Sequence, residues 1–104
     1  MDIDAVKKKI WKELSTVEDP EIQLNLVDLG LIYEVNLDET GHALIKMTLT
    51  SMSCPVGPMM QQAVGAAARR VDEVVDVQVN VVWSPPWNPR EMASEDGQIH
   101  LGLI

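Results

Sequence analysis

One thiol and a few carboxylates are the residues of this 104-residue chain best suited to chemistry, and Cys54 is its only cysteine. It lies in T-L-T-S-M-S-C-P-V-G-P, Thr48 to Pro58. There an alternating pattern (Ile45, Met47, Leu49) gives way to a helical one (Val56, Met59, Met60, Ala63, Val64, Ala67, Val71). A thiol at such a junction has two readings. Free cysteine often behaves as a small buried hydrophobe. At the mouth of a helix it lies beside unpaired N–H groups that favour the thiolate, the form that attacks electrophiles and binds metals. With Cys54 as the cap, Pro55 takes the first helical position, where a missing N–H costs nothing. Pro58 then falls fourth, where an N–H should bond the Cys54 carbonyl. A cap at Pro55, or a helix starting at Pro58, removes the conflict and leaves Cys54 on the lip.

The remaining groups narrow the chemistry. His42 and His100 are both distant from Cys54 in sequence, and a Cys–His nucleophile needs one of them within hydrogen-bond reach. The chain has no C-x-x-C, H-x-x-H or H-E-x-x-H spacing. An iron–sulfur cluster typically takes four thiolates, so one cysteine per chain implies a cluster shared with another chain, a small thiol or a client protein. Asp19, Glu21 and Asp28 could add hard oxygen ligands; carboxylates at loop positions equally form turns and caps.

The elements that must position these residues can be read from pattern. Apolar residues at Ile3, Val6, Ile10, Leu14 and Val17 predict a helix capped by Asp2 or Asp4, ending before Asp19-Pro20. A loop follows from Glu18 to about Asp28, then a strand from Leu31 to Leu37. Asp38-Glu39-Thr40-Gly41 turns the chain into a second strand, from about Ala43 to Thr50. A second helix reaches Arg70, and a third strand spans Val74 to Trp83. One strand face collects Leu31, Tyr33, Val35, Leu37, Ala43, Ile45, Met47, Leu49, Val75, Val77, Val79, Val81 and Trp83. The other is polar, with Glu34, Asn36, Lys46, Thr48, Thr50, Asp76, Gln78 and Asn80. A sheet with one apolar face takes helices on that side, which predicts an α-β-β-α-β two-layer α/β sandwich over residues 1–104, a single domain. The β-α-β unit makes the third strand parallel to the second, adjacent or not. Asn88, Pro89 and Glu91 predict a short capped C-terminal helix that Gly97 stops. In the S-P-P-W-N-P segment, alternation assigns Trp83 to covering the core and leaves Trp87 open.

Composition excludes several classes. Hydrophobic residues make up 46% of the chain, enough for a globular core without any phenylalanine. The formal charge is −8, and the run from Glu13 to Glu39 holds acids but no Lys or Arg. Such a surface repels phosphate backbones, so no nucleic-acid role is expected. Lys7, Lys8, Lys9 and Lys12 form a solvated helix face. No apolar run approaches the roughly 20 residues of a membrane span, so no membrane role is expected either. The lone thiol and the absence of a signal-peptide core predict a reducing, cytoplasmic setting.

Four motifs in register carry a resemblance: D-P-E-I (Asp19 to Ile22), N-L-V-D-L-G-L-I-Y (Asn25 to Tyr33), M-T-L-T-S-M-S-C-P (Met47 to Pro55) and V-W-S-P-P-W-N-P (Val82 to Pro89). Together they resemble the MIP18 family, also called the DUF59 domain, and its SufT-like members, from about Val6 to the closing L-G-L-I. The resemblance implies an α/β domain like those of iron–sulfur cluster assembly proteins. It implies an accessory role in maturing iron–sulfur proteins rather than an enzyme's. By the same resemblance Cys54 is the family cysteine, a transient ligand or client contact, with no permanently bound cofactor. Asp19, Pro20, Glu21, Asp28, Gly30, Thr48, Thr50, Pro55, Trp83 and Trp87 fall within the matching motifs. The implied partners are the assembly machinery and client apo-proteins, and a shared cluster would join two copies as a homodimer. Ser53 stands where glycine is common, and Pro58 comes early in the helix. Other readings are a branch working beside phenylacetyl-CoA oxygenase, which carries a cysteine-rich tail beyond this domain, a Cys54 thiol enzyme, and a pure adaptor.

Overall fold

A computed structural model describes residues 1–50 and 55–104. Helix α1, Ile3–Leu14, begins where Asp2 Oδ1 accepts the Ala5 N–H, and it buries Val6, Ile10 and Leu14. Residues expected to form a plain loop are more ordered. Strands β1 (Glu18–Asp19) and β2 (Leu24–Asn25) pair antiparallel around the D-P-E-I-Q turn. The one-turn helix α2, Leu26–Leu29, follows. Pieces this short leave no periodic signature.

Strands β3 (Ile32–Leu37), β4 (His42–Met47) and β5 (Asp76–Val81) form a sheet in the order β3-β4-β5. β3 and β4 are antiparallel; β4 and β5 are parallel, from His42↔Asp76 to Met47↔Val81. The β-α-β reasoning therefore holds, and the two strands are adjacent. Helix α3, Gly57–Arg69, connects them and packs on β5 and α1, while α1 packs on β3. Both long helices thus cover one face, and Ile10, Leu14, Ile45, Met47 and Val64 are fully buried there. Each contributes about 1.5–3 kcal/mol by leaving water.

Several predicted boundaries are corrected. The β3–β4 register slips between Ile32 and Glu34, a bulge that inserts Tyr33 and puts Ile32 beside Leu31 in the core. Tyr33 therefore leaves the apolar face. Strand β4 stops at Met47, and Thr48, assigned to the polar face, is buried with its N–H on the Leu31 carbonyl at 2.8 Å. Strand β5 starts two residues late, and Val75, just before it, is 71% exposed. The single C-terminal helix is two, α4 (Pro89–Met92) and α5 (Glu95–His100), because Ala93 between them is extended. Asn88 caps α4 as expected, with its Oδ1 on the Arg90 N–H, but its own N–H turns to Met92 Sδ rather than to Glu91. Gly97 does not stop a helix. It lies inside α5, pressed against the Asp28 carbonyl where a side chain would collide.

Candidate functional site

The start of β3 and the end of β4 meet at one rim, closed by the Thr48 N–H to Leu31 carbonyl bond. Residues 48–50 lead from that rim toward Cys54, and Pro55 and Val56 lead back to α3. Cys54 itself, with its access, reactivity and distance from any carboxylate, lies outside the described residues. The helix beside it is described. Val56 is the N-cap of α3, so Cys54 does not cap it, and Pro58 falls in the first turn, where its missing N–H is harmless. The conflict at Pro58 is removed by a later start, close to the frame that placed the thiol on the lip. Gly57 fits there because Leu49 Cδ1 lies 2.8 Å from where a β-carbon would be.

Two of the three carboxylates proposed as hard ligands, Asp19 and Asp28, are already engaged. Asp19 is only 2% exposed, and its Oδ1 accepts the Glu21 N–H at 2.8 Å and the Ile22 N–H at 3.2 Å. It shapes the D-P-E turn. Asp28 accepts from Asn25 Nδ2 at 2.6 Å and from the Ser94 hydroxyl at 2.9 Å, and its backbone carbonyl takes the Ser94 N–H at 2.8 Å. It ties α2 to the cap of α5. Gly30 ends α2 at a φ of +77° and is packed against the Met92 carbonyl, so both its conformation and its lack of a side chain are required. Pro20 and Glu21 are exposed, as is Pro55, and Thr50 is half-buried. Among the described residues no group of three His, Cys, Asp or Glu side chains is arranged to hold a metal ion.

The core-covering role that alternation assigned to Trp83 falls instead to Trp87, which the sequence left open. Trp83 is 42% exposed, since the strand ends before it. Trp87 packs against the core and donates its Nε1–H to the Leu29 carbonyl at 2.8 Å. Beside it the Tyr33 hydroxyl donates to the Pro85 carbonyl at 2.8 Å. Burial raises the Tyr33 pKa above its ordinary value of 10.0, partly offset by a hydrogen bond with the Thr48 side chain. Tyr33 and Pro85 form one side of an apolar groove of about 470 Å³ whose lining also includes Trp11, Val27, Ile32 and Met92. Sequence reasoning missed this groove. Its available signals were Trp11, one position off the buried stripe of α1, and the tyrosine that the bulge displaces.

Residues 7–81 match the family described as "Iron-sulfur cluster assembly protein". The chain belongs to this family. Within it, the chain is 43% identical over 100 residues to the Fe-S protein maturation auxiliary factor YitW of Bacillus subtilis, covering 96% of this chain and 97% of that one. It is 45% identical over 87 residues to the Fe-S protein maturation auxiliary factor SufT of Staphylococcus aureus, covering 84% and 98%. The crystal structure of a DUF59 domain from Bacillus anthracis superposes with a TM-score of 0.90 at 39% identity, over 100% of this chain and 98% of that one. The family match ends at Val81, yet Tyr33, Leu29 and Asp28 each hold a residue beyond it. The family domain and the C-terminal segment therefore pack as one body.

Proposed function

We propose that this chain is an accessory factor in iron–sulfur protein maturation, acting in a reducing cytoplasm, with Cys54 as a transient ligand or client contact and no catalytic turnover of its own. The observation that carries the reading is the near full-length identity to two maturation auxiliary factors, within a family of cluster assembly proteins. The donor chemistry agrees with cargo held briefly. One thiolate leaves most positions of a cluster to other donors, which suits transfer through a shared site with the assembly machinery or a client apo-protein. Asp19 and Asp28 are committed to turns and caps, whereas Glu21 is exposed and is the one of the three retained as a candidate donor.

The test is complementation. In cells lacking the endogenous factor, activity of an iron–sulfur enzyme per unit of its polypeptide is compared for the native chain, Cys54→Ala and Glu21→Gln. Loss with Cys54→Ala, at unchanged abundance of the factor, is expected. Full activity with Cys54→Ala would sink the ligand role and favour an adaptor. The groove between Trp11, Tyr33 and Met92 supports that second reading, since it offers an apolar recess for a partner side chain.

A further inference from the structure

The two edges of the sheet are built differently. The β3 edge is bulged at Tyr33, a device that discourages pairing with another strand. The β5 edge has no bulge, although α3 packs on its helix-side face as α1 does on that of β3. Its register with β4 is unbroken, and D-V-Q-V-N-V contains no proline or lysine. The Val82 N–H donates to the Met47 carbonyl, which fixes the phase: even-numbered residues of β5 bond to β4, and Val77, Val79 and Val81 turn their backbone groups outward. Gln61 confirms the direction by reaching from α3 to donate to the Val79 carbonyl at 2.8 Å, so a partner's N–H must take that oxygen's second lone pair or displace Gln61. Beside this edge runs a groove of about 590 Å³ whose lining includes Pro58, Gln61, Gln62, Val77 and Val79.

We propose that the β5 edge is a self-association surface, on which a second copy of this chain pairs antiparallel across a two-fold axis at Val79. The strand is self-complementary about that residue. Val77 of one copy falls opposite Val81 of the other, Gln78 opposite Asn80, and Val79 opposite itself. Outward-facing residues then meet only outward-facing residues, as narrow antiparallel pairs require. Opposed side chains share a face, so the second copy's valines lie on the helix side, alongside the groove.

Charge permits this occupant and selects this orientation. A chain of net charge −8 associates with itself only where acid does not meet acid. From Val77 to Pro89 there is no ionisable side chain. Antiparallel pairing about Val79 sends the two Asp76 carboxylates to opposite ends, each facing Val82, whereas parallel pairing would bring them together. Six residues of edge strand bury less than the roughly 800 Å² per partner of a standard interface, so the dimer is reversible and concentration-dependent. It needs neither metal nor thiol, which separates it from a dimer bridged by a shared cluster.

The test is sedimentation of metal-free chain carrying Cys54→Ser, from micromolar to millimolar concentration. The mass should rise with concentration from 11.5 kDa toward twice that value. Val79→Pro removes an outward N–H without touching the bonds to β4, and should weaken the dimer about tenfold or more. Val79→Cys in the same background provides a measurement that does not depend on the proline variant folding. Dyad-related Cα atoms about 5.5 Å apart lie within disulfide reach, so this variant should cross-link to itself on oxidation faster than Asp96→Cys on exposed α5. A mass of one chain at every concentration, or equal cross-linking at the two positions, would overturn the proposal. So would a chain that stays monomeric but takes up an extended foreign peptide along β5.

Discussion

Asp28 accepts hydrogen bonds from Asn25 and Ser94 through its carboxylate, while its carbonyl holds the Ser94 N–H and leaves room only for a glycine at position 97. A half-buried carboxylate with two side-chain donors should be worth about 2–3 kcal/mol to the fold, so Asp28→Ala should lower the urea midpoint accordingly. Ser94→Ala should cost about 1 kcal/mol, because it also removes the α5 cap. The double variant should lose less than the two single losses combined, by at least about 0.5 kcal/mol. Strict additivity would show that the Asp28–Ser94 bond contributes nothing. At this scale the sequence was legible where a residue acts on its immediate neighbours. Turn-and-cap chemistry foretold what Asp19 and Asp28 do locally. It could not foretell that Ser94 and Gly97 complete the Asp28 clasp, nor that Trp87 reaches the Leu29 carbonyl 58 positions away, because those partners meet only through the tertiary fold.

Periodicity located the long elements because each buries one continuous face, and it failed where that face is interrupted. The bulge at Tyr33 shifts the phase by one residue, and strict alternation cannot represent an inserted residue. Alternation also ran past the end of β5, because Val82 and Trp83 continue the apolar pattern after the ladder stops. The two-residue strands and one-turn α2 are held by hydrogen bonds from Asp19 and Asn25 rather than by a buried stripe. Where the phase is undisturbed, it makes a sharp test. Ile45, at the centre of β4, is fully buried, and Gln78, its neighbour's partner on β5, faces out. Ile45→Asp would bury an unpaired charge at a cost of several kcal/mol, comparable to the roughly 5–15 kcal/mol that holds a domain together. It should leave the chain unfolded by circular dichroism at 25 °C. Gln78→Asp should keep the native spectrum and melt within a few degrees of the parent. Equal damage from both would mean that the open sheet face is covered in solution.

For the molecule as a whole, the decisive quantity is the excess of acid. Four of the eight Lys and Arg side chains pair with carboxylates: Lys9 with Glu73, Lys46 with Glu34, Arg69 with Asp76 and Arg70 with Glu13. Lys9 and Glu73 show the pairing in their ionisation, the lysine raised and the glutamate lowered, chiefly by the hydrogen bond between them. All four pairs are partly exposed, and solvent screening leaves such pairs little net stabilisation. Salt weakens them, but it also screens the mutual repulsion of the unpaired acids. In a body of 40 × 26 × 22 Å those acids feel one another at low ionic strength, where the screening length is about 30 Å at 0.01 M. The repulsion is collective, and the pairs are few and weak. Raising sodium chloride from about 0.01 M to about 0.1 M, which shortens the screening length to about 10 Å, should therefore raise the melting temperature by a few degrees. Chloride is the right anion, because sulfate would stabilise the fold through exclusion from its surface. Replacing the exposed Glu39 and Glu95 by glutamine should raise the melting temperature at low salt and flatten its salt dependence. A melting temperature that falls as salt is added would show instead that the four ion pairs outweigh the net charge.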